Sequence, residues 1–196
     1  MRTPRRKECK LSVDEEATDL SRFRPYLLIL ARLRLDDSLR SKVDGSDVVQ
    51  QTLLEAFEAL NDFRGTTELE TAAWLRKILA RNLADEVRKF RRQKRDVGLE
   101  ASLQAALDES SARLEDWLAC EQRGPTQHAM ANEELVFLAE ALMELPEDQR
   151  RAVELHHLQG LRSVEVAKRM EKTEVAVSGL LRRGLKRLRE LMRPKE

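Results

Sequence analysis

Apolar residues recur at helical spacing from residue 20 onward, which predicts helices rather than strands. The stretch that begins at residue 20 predicts one helix. The turn at 44–47 leads into a second helix, for which Asp44 or Ser46 is the expected N-cap. The apolar stripe predicted for that second helix comprises Val48, Val49, Leu53, Ala56, Phe57 and Leu60. Residues 1–19 are polar and have no period, so a flexible N-terminal tail is expected there.

A long third helix is predicted to begin at a capping box formed by Thr67 and Glu70 and to continue to about Arg92. On a helical wheel, its apolar positions share one side: Leu75, Leu79, Leu83, Val87 and Phe90. A narrow arc on the opposite side holds Lys77, Arg81, Arg88 and Arg92. This helix is therefore expected to have a core face and a cationic face.

The segment from residue 132 onward predicts four more helices. Pro146 ends the first, Gly160 ends the second, Ser163 caps a short third helix and Thr173 caps a longer fourth. A short helix, a tight turn and a longer capped helix over 163–190 form the pattern of a helix-turn-helix. A plain helical hairpin with a solvated basic end is the alternative that this spacing leaves open.

In a helix-turn-helix, the second helix enters the DNA major groove and presents its first turns to base edges. The candidates for base contact are Thr173, Glu174, Val175, Ala176, Ser178 and Gly179. Three cations further along suit phosphates, which position a protein without reading sequence: Arg182, Arg183 and Lys186.

Neither strand alternation nor an internal repeat is evident, so the predicted fold is all-α. We expect two small helical domains joined by an acidic linker, the second containing the helix-turn-helix. The expected ranges are a tail at 1–19, a first domain at 20–95, a linker at 96–131 and a second domain at 132–196. Weak helical signals in the linker predict one or two short helices, with a boundary near Gly124-Pro125.

Charge is segregated along the chain behind a net charge of only +1. Residues 72–95 hold nine cations and two acids, residues 97–148 hold twelve acids and two cations, and residues 176–196 hold seven cations and two acids. Two basic segments flanking an acidic one indicate two anion-binding surfaces. Three solvated helical faces are the alternative. A charged share of 36% is high for a globular protein, but a hydrophobic share of 41% is too large for a fully disordered chain.

The sequence indicates neither catalysis nor a metal or other cofactor. Cys9 and Cys120 make no disulfide framework, and they do not form a zinc pattern with the three histidines. We find no phosphate-binding glycine loop and no nucleophile motif, so an enzyme is not expected. No run approaches a membrane-spanning length, and no apolar core follows the basic start. We therefore expect a cytoplasmic protein without membrane contact of its own.

Two lengths of sequence carry motifs of a known family. The first holds Asp47-Val-Val-Gln-Gln-Thr-Leu-Leu-Glu-Ala-Phe and Ala73-Trp-Leu-Arg-Lys-Ile-Leu-Ala-Arg-Asn-Leu-Ala-Asp, which resemble the second domain of bacterial sigma factors. The second holds Leu145-Pro-Glu-Asp-Gln-Arg-Arg-Ala-Val, Glu165-Val-Ala-Lys-Arg-Met and Leu180-Leu-Arg-Arg-Gly-Leu-Lys-Arg-Leu-Arg-Glu, which resemble the fourth domain of bacterial sigma factors. Their order and spacing, with no third domain between them, match the extracytoplasmic-function (ECF) group of the sigma-70 family. The resemblance covers about residues 20–95 and 132–192.

The resemblance implies a dissociable specificity subunit that binds core RNA polymerase, recognises promoter DNA and helps to open it. The expected contacts with the clamp helices of the largest polymerase subunit are Asp47, Val48, Gln50, Gln51 and Leu54. The expected contacts with the minus-ten element are Trp74, Arg76, Lys77, Arg81, Asn82, Arg88, Lys89 and Arg92. The nine helix-turn-helix residues above would read the minus-thirty-five element as duplex. Trp74 either stacks on an unpaired base or packs in the core.

Further expectations concern partners and the linker. The resemblance implies contact with the polymerase flap region, both double- and single-stranded promoter DNA, an anti-sigma factor, and a monomer that joins the nucleoid within the holoenzyme. The acidic linker threads the polymerase channel, serves as a spacer, or covers the basic helix until polymerase binds. A stand-alone helix-turn-helix regulator, which would normally dimerise, is the alternative function.

The sequence departs from the family pattern at four positions. Gln51 stands where an acid is usual, Glu171 stands where the tight turn often has glycine, and Lys172 replaces a hydrophobic residue. Leu180 stands where many members have a base. These departures bear on promoter preference more than on the class of protein.

Overall fold

The structure is a computed structural model that describes residues 19–35, 43–91, 97–121 and 131–193. Within these residues it contains eight α-helices and no strand. The helices are α1 (Arg24–Arg34), α2 (Gly45–Glu58), α3 (Glu68–Arg91), α4 (Val97–Glu121), α5 (Ala131–Met143), α6 (Glu147–Val153), α7 (Ser163–Arg169) and α8 (Glu174–Leu191). Leu20–Phe23 and Leu60–Asp62 are 3₁₀ turns, and a π-helical turn at Glu154–Leu158 extends α6. The all-α prediction is confirmed.

Side-chain caps fix the starts of α2 and α3 where the sequence predicts them. The Asp44 carboxylate accepts a 2.8 Å hydrogen bond from the Ser46 amide. The Glu70 amide donates to the Thr67 hydroxyl at 3.2 Å, and the Thr67 amide donates back to the Glu70 carboxylate at 3.1 Å. Each cap satisfies amides that have no partner within the first helical turn.

The start of α7 differs from the prediction by one residue. Arg162, not Ser163, is the N-cap, and its amide donates to the Glu165 carboxylate at 2.8 Å. The Glu165 carboxylate thus satisfies the amide of the N-cap residue, as the N3 residue of a capping box does. These hydrogen bonds lower the pKa of Glu165. Thr173 caps α8 as predicted, since its hydroxyl accepts from the Ala176 amide at 3.2 Å.

The predicted apolar stripe of α2 is wrong at Phe57. Val48, Val49 and Ala56 are buried, but the side chain of Phe57 is 70% exposed. Successive helical residues turn by about 100°, which puts Phe57 well outside the buried arc of α2. The exposed aromatic ring of Phe57 therefore does not contribute to packing of the core.

The acidic segment forms one 25-residue helix, α4, instead of one or two short ones. It packs against α3, α1 and α5, and Leu107, Leu114 and Leu118 lie in the shared core. Ser110 and Ser111, at 0% and 1% exposure, occupy its buried stripe between those leucines. Two polar residues at buried positions interrupt the apolar period, so the pattern predicts short helices where one long helix forms. The expected boundary at Gly124-Pro125 lies outside the described residues.

Most of the buried apolar side chains belong to one cluster to which α1, α3, α4 and α5 all contribute. The helix-turn-helix adds a second, small cluster of Leu155, Val166, Ala167 and Val177. This small cluster joins α7 and α8 to the end of α6 and fixes which face of α8 points outward.

Candidate nucleic-acid interface

The outward face of α8 carries the predicted duplex-reading residues. Val177, Leu180, Gly184 and Leu188 are buried on its inner face. Gly179 is half-buried, and the other eight candidates are exposed: Thr173, Glu174, Val175, Ala176, Ser178, Arg182, Arg183 and Lys186. The structure thus brings the nine residues together on the start and outer face of one helix, next to solvent.

The turn between α7 and α8 is held in an unusual backbone conformation. Glu171 has a φ of 53°, the left-handed region that side chains disfavour and glycine adopts freely. The Lys172 amide closes the turn on the Ala167 carbonyl at 2.9 Å, and its ammonium pairs with Asp148 at 3.2 Å. The two departures from the family pattern in this turn are therefore a strained acid and a lysine tied to α6.

The two glycines of α8 differ in how much space surrounds them. At Gly184 a Cβ would lie 3.1 Å from Cγ2 of Val153, so close packing of α8 on α6 favours glycine there. At Gly179 a Cβ would meet only the flexible guanidinium of Arg183, at 3.3 Å. Internal packing therefore gives no strong reason for glycine at 179. Its lack of a side chain leaves a gap in the outer face of α8.

The cationic face of α3 is smaller than the sequence predicts. Lys77, Arg81 and Lys89 are exposed, whereas the Arg88 side chain is only 17% exposed and pairs with Asp85 at 2.7 Å. Lys89 pairs with Glu86, and Arg81 pairs with Glu55 of α2. Arg92 lies outside the described residues.

Arg76 is engaged inside the molecule. Its guanidinium donates to the Asp108 carboxylate at 2.6 Å, to the Tyr26 hydroxyl at 2.8 Å and to the Ser111 hydroxyl at 3.1 Å. The Tyr26 hydroxyl donates in turn to Ser111 at 2.9 Å. This network, which we call the Arg76 network, ties α3 to α1 and α4.

The buried position of the Arg76 network affects its ionisable groups. Burial raises the pKa of Tyr26, which keeps its hydroxyl neutral. Burial alone would lower the pKa of Arg76, but Tyr26 and Asp108 together hold it above its usual value. The guanidinium is thus a fixed charge held by the protein itself and is not part of the exposed cationic face of α3.

Asn82 and Trp74 also point inward. Asn82 is 8% exposed, and its amide donates to the Thr52 hydroxyl of α2 at 3.2 Å. The Trp74 ring stacks on Phe63, with centroids 4.3 Å apart and planes 13° apart, and packs against the core. The structure therefore places both residues in domain packing.

The predicted polymerase-contact residues of α2 divide by burial. Val48 is 4% exposed and belongs to the core, whereas Asp47, Gln50, Gln51 and Leu54 are exposed. Leu54 is 53% exposed, and Phe57, one helical turn further on, is 70% exposed. Sequence reasoning missed Phe57, although its i+3 spacing from Leu54 places both on one face. We call the exposed pair Leu54 and Phe57 the α2 apolar patch.

A cleft of about 790 Å³ separates α2 from α3. Five acids and two cations line it: Asp44, Asp47, Glu55, Asp85, Glu86, Arg88 and Lys89. Hydrogen bonds from Gln51 and Arg81 outweigh burial and lower the pKa of Glu55, so this acid is charged at neutral pH. An acidic cleft repels phosphate, which leaves Lys77 and Arg81, the exposed α3 cations that do not line the cleft, as the candidate nucleic-acid contacts.

Other chemistry is limited in the part of the chain that the structure describes. There, no group of three His, Cys, Asp or Glu residues is placed to hold a metal ion. Within the same residues, no helix combines the length and the apolar character needed to span a bilayer.

Comparisons with known proteins agree with the geometry of α7 and α8. Residues 138–188 match the family model described as Sigma-70, region 4. The chain is 31% identical over 192 residues to the ECF RNA polymerase sigma factor SigG of two Mycobacterium tuberculosis strains, CDC 1551 / Oshkosh and ATCC 25618 / H37Rv. That alignment covers 92% of this chain and 50% of the relative, so the chain spans about half the length of the curated relatives it matches.

A solved structure shows a weaker likeness. The co-crystal structure of the sigma factor RpoE in complex with the anti-sigma factor NepR from Bartonella quintana is 21% identical, with a TM-score of 0.34. The match covers 90% of this chain and 96% of that chain.

The exposed basic face of α8 and the region match together define a helix-turn-helix of the sigma-70 region 4 type. Together with the likeness of nearly the whole chain to SigG, these observations support an ECF sigma factor of the sigma-70 family.

Proposed function

We propose that the chain is a sigma factor of ECF type, which binds core RNA polymerase, recognises promoter DNA and helps to open it to initiate transcription. The observation that carries this proposal is α8, whose outer face presents small residues followed by Arg182, Arg183 and Lys186 within the region 4 match. Small residues admit the base edges, and the cations hold the phosphates on either side.

In this proposal, α8 docks on the minus-thirty-five element as duplex, and the domain at 20–95 holds the minus-ten element. The exposed cations Lys77 and Arg81 of α3 would attract the separated strand. The protein catalyses no covalent step. Strand opening costs a few kcal/mol per base step, and binding of the unpaired strand offsets it.

The α2 apolar patch supports the proposed docking on core polymerase. Leu54 and Phe57 lie on the same helix as the exposed Asp47 and Gln50. Adjacent large apolar side chains ringed by polar ones mark protein interaction surfaces. We assign this face to the clamp helices of the largest polymerase subunit. The polymerase flap region and an anti-sigma factor are further proposed partners.

The test is reconstitution with purified core polymerase, with association measured by pull-down and initiation by run-off transcription. Changing Leu54 and Phe57 together to arginine should abolish both association and initiation, because it places charge in an apolar interface. Changing Arg182, Arg183 and Lys186 to glutamate should leave association intact and abolish initiation. Leu69→Arg, at a 45% exposed leucine of α3, is the matched control for an added surface charge.

A wild-type chain that neither associates with core polymerase nor supports initiation would refute the proposal. Equal loss of association in the Leu69→Arg control would remove the role assigned to the α2 apolar patch.

A further inference from the structure

We propose that α8 selects its duplex site by van der Waals contact between Val175 and thymine 5-methyl groups, not by hydrogen bonds to purines. This inference rests on the proposed function, since it concerns the duplex element that the helix-turn-helix would read. It names the chemistry of recognition, which is an apolar side chain against the methyl groups on the major-groove edge of A·T pairs.

The first turns of α8 lack the long side chains that read purines through paired hydrogen bonds. Guanine is read in the major groove mainly by arginine or lysine, and adenine mainly by asparagine or glutamine. Residues 174–179 are Glu-Val-Ala-Val-Ser-Gly, and none of them is of these types. The Thr173 hydroxyl is already engaged in capping the helix. The first long donor is Arg182, about 12 Å along the axis from Glu174 at a rise of about 1.5 Å per residue.

Val175 points directly away from the protein core. Its side chain is 83% exposed, the most exposed of the large apolar side chains in the described ranges. On a wheel of about 100° per residue, Val175 lies opposite the buried Val177, Gly184 and Leu188. A free valine in this position gains apolar contact only when something docks on the outer face of α8.

The other residues on the outer face of α8 would place Val175 at the floor of the DNA major groove. Gly179, Arg182 and Lys186 lie within about 60° of Val175 on the wheel, so the four form one stripe. The two cations suit phosphates, while the gap at Gly179 lets the duplex approach the helix. With the backbone held in this way, the tip of α8 reaches the base edges with a valine isopropyl group.

The neighbouring acid narrows the choice of bases further. Glu174 is exposed beside Val175 and can accept a hydrogen bond from the cytosine amino group, while it repels phosphate. Only thymine carries the methyl group, and cytosine is the base whose amino group an acidic side chain typically reads in the major groove. The element read by the first turns of α8 is therefore expected to be pyrimidine-rich on the strand facing them, with thymine opposite Val175.

The experiment compares thymine with uracil, which lacks only the 5-methyl group. Holoenzyme formed from the full chain and core polymerase is used to select binding sequences from duplexes with a randomised upstream segment. Each thymine of the selected element is then replaced by deoxyuridine, and the Kd of the holoenzyme is measured by fluorescence anisotropy. We expect at least one replacement to weaken wild-type binding by about three- to tenfold, the effect of losing one or two buried methyl contacts.

Two substitutions at Val175 test the assignment of the contact. Val175→Ala should bind thymine and uracil duplexes equally, whereas Val175→Ile should keep the preference for thymine. Since Val175 is 83% exposed, neither substitution should change the unfolding midpoint, so a loss of binding cannot come from misfolding.

Wild-type holoenzyme that binds every uracil duplex as tightly as its thymine counterpart would overturn the inference. Retention of the preference by Val175→Ala would do the same. If the selected duplexes support run-off transcription in either of these cases, the inference alone fails. If the chain never joins core polymerase, the proposed function fails and this inference fails with it.

Discussion

The backbone conformation of Glu171 is part of the turn that orients α8 relative to α7. Its φ of 53° is a conformation that costs a side chain about 1–2 kcal/mol relative to glycine. Glu171→Gly should therefore raise the free energy of unfolding by about 1 kcal/mol, after the greater freedom of glycine in the unfolded chain is counted. Thermal unfolding measures the change.

The matched control is Glu171→Ala, which removes the carboxylate and keeps the backbone strain. We expect it to unfold at the same temperature as the wild type, within error. If alanine stabilised the protein as much as glycine, the effect would belong to the negative charge and not to the φ angle.

Arg76 and Lys77 are adjacent cations with opposite environments, and they should respond differently to alanine. Arg76→Ala should lower the free energy of unfolding by about 2 kcal/mol, because the buried Tyr26 and Ser111 hydroxyls lose their shared partner. Lys77→Ala should change stability by less than about 0.5 kcal/mol, since Lys77 is exposed. Denaturant unfolding distinguishes the two.

DNA binding should show the reverse order for the same pair. Lys77→Ala should weaken binding to single-stranded DNA and flatten its dependence on salt, as expected for a phosphate contact. The opposite ranking, with Lys77 needed for stability and Arg76 dispensable, would contradict the positions described here.

Sequence reasoning succeeds for residues whose role depends on neighbours along the helix and fails where the partner is distant. The caps at Asp44, Thr67 and Thr173 follow from residues two or three positions away. Arg76 lies on the apolar side of the helical wheel, about 20° from Leu83, but the acid that pairs with it there, Asp108, lies 32 residues further along the chain. Only the tertiary structure brings them together.

Among the elements, α8 shows the difference between a glycine kept for packing and one kept for access. Gly179→Ala should stabilise the helix by about 0.5–1 kcal/mol and weaken promoter binding, because the new methyl group fills the gap facing the duplex. Gly184→Ala should instead lower stability, since its Cβ would crowd Val153. Thermal unfolding and DNA binding by the holoenzyme measure the two effects.

Promoter binding that is unchanged or improved in Gly179→Ala would contradict the proposed approach of DNA to this face. Because the alanine variant is expected to be at least as stable as wild type, weakened binding cannot be attributed to unfolding.

The helix α4 holds one cation of α3 in an ion pair in the free protein. Its Asp108 holds the guanidinium of Arg76, so we expect the free chain to have one cation fewer available to DNA. Asp108→Asn should raise the affinity of the free chain for single-stranded DNA by about two- to fivefold, the effect of releasing a partly exposed ion pair. Binding at low salt measures it.

Two controls separate release of Arg76 from a general loss of negative charge. Asp116→Asn removes an exposed acid from the same helix and should have a smaller effect. In an Arg76→Ala background, Asp108→Asn should have no effect beyond that of the control. Equal effects of the two asparagine variants would contradict an inhibitory role for the Asp108 contact.

The extent of α4 could not be predicted from its pattern. Leu103, Leu107, Leu114 and Leu118 carry the helical period, but two buried serines stand between them. The serine hydroxyls are satisfied by Tyr26, Arg34 and Arg76 from other helices. A polar residue that is buried because of a distant partner looks, in the sequence alone, like the end of an amphipathic helix.

At the scale of the whole molecule, the segregation of charge predicts where nucleic acid binds and the structure refines it. The basic run of α8 remains on the surface, whereas several cations of α3 are committed to acids of the protein. Near-neutral net charge thus coexists with a concentrated cationic surface on the helix-turn-helix. We expect DNA affinity to fall steeply with salt and to depend more on α8 than on α3 in the free chain.

The central claim is that the chain directs core polymerase to particular start sites. The most direct measurement is transcription of a genomic DNA library in vitro by core polymerase, with and without the chain, followed by mapping of transcript 5′ ends. The account predicts a new set of start sites that share an upstream element and disappear when Arg182, Arg183 and Lys186 are changed to glutamate. The same start sites with and without the chain would contradict it, as would start sites that survive this charge reversal.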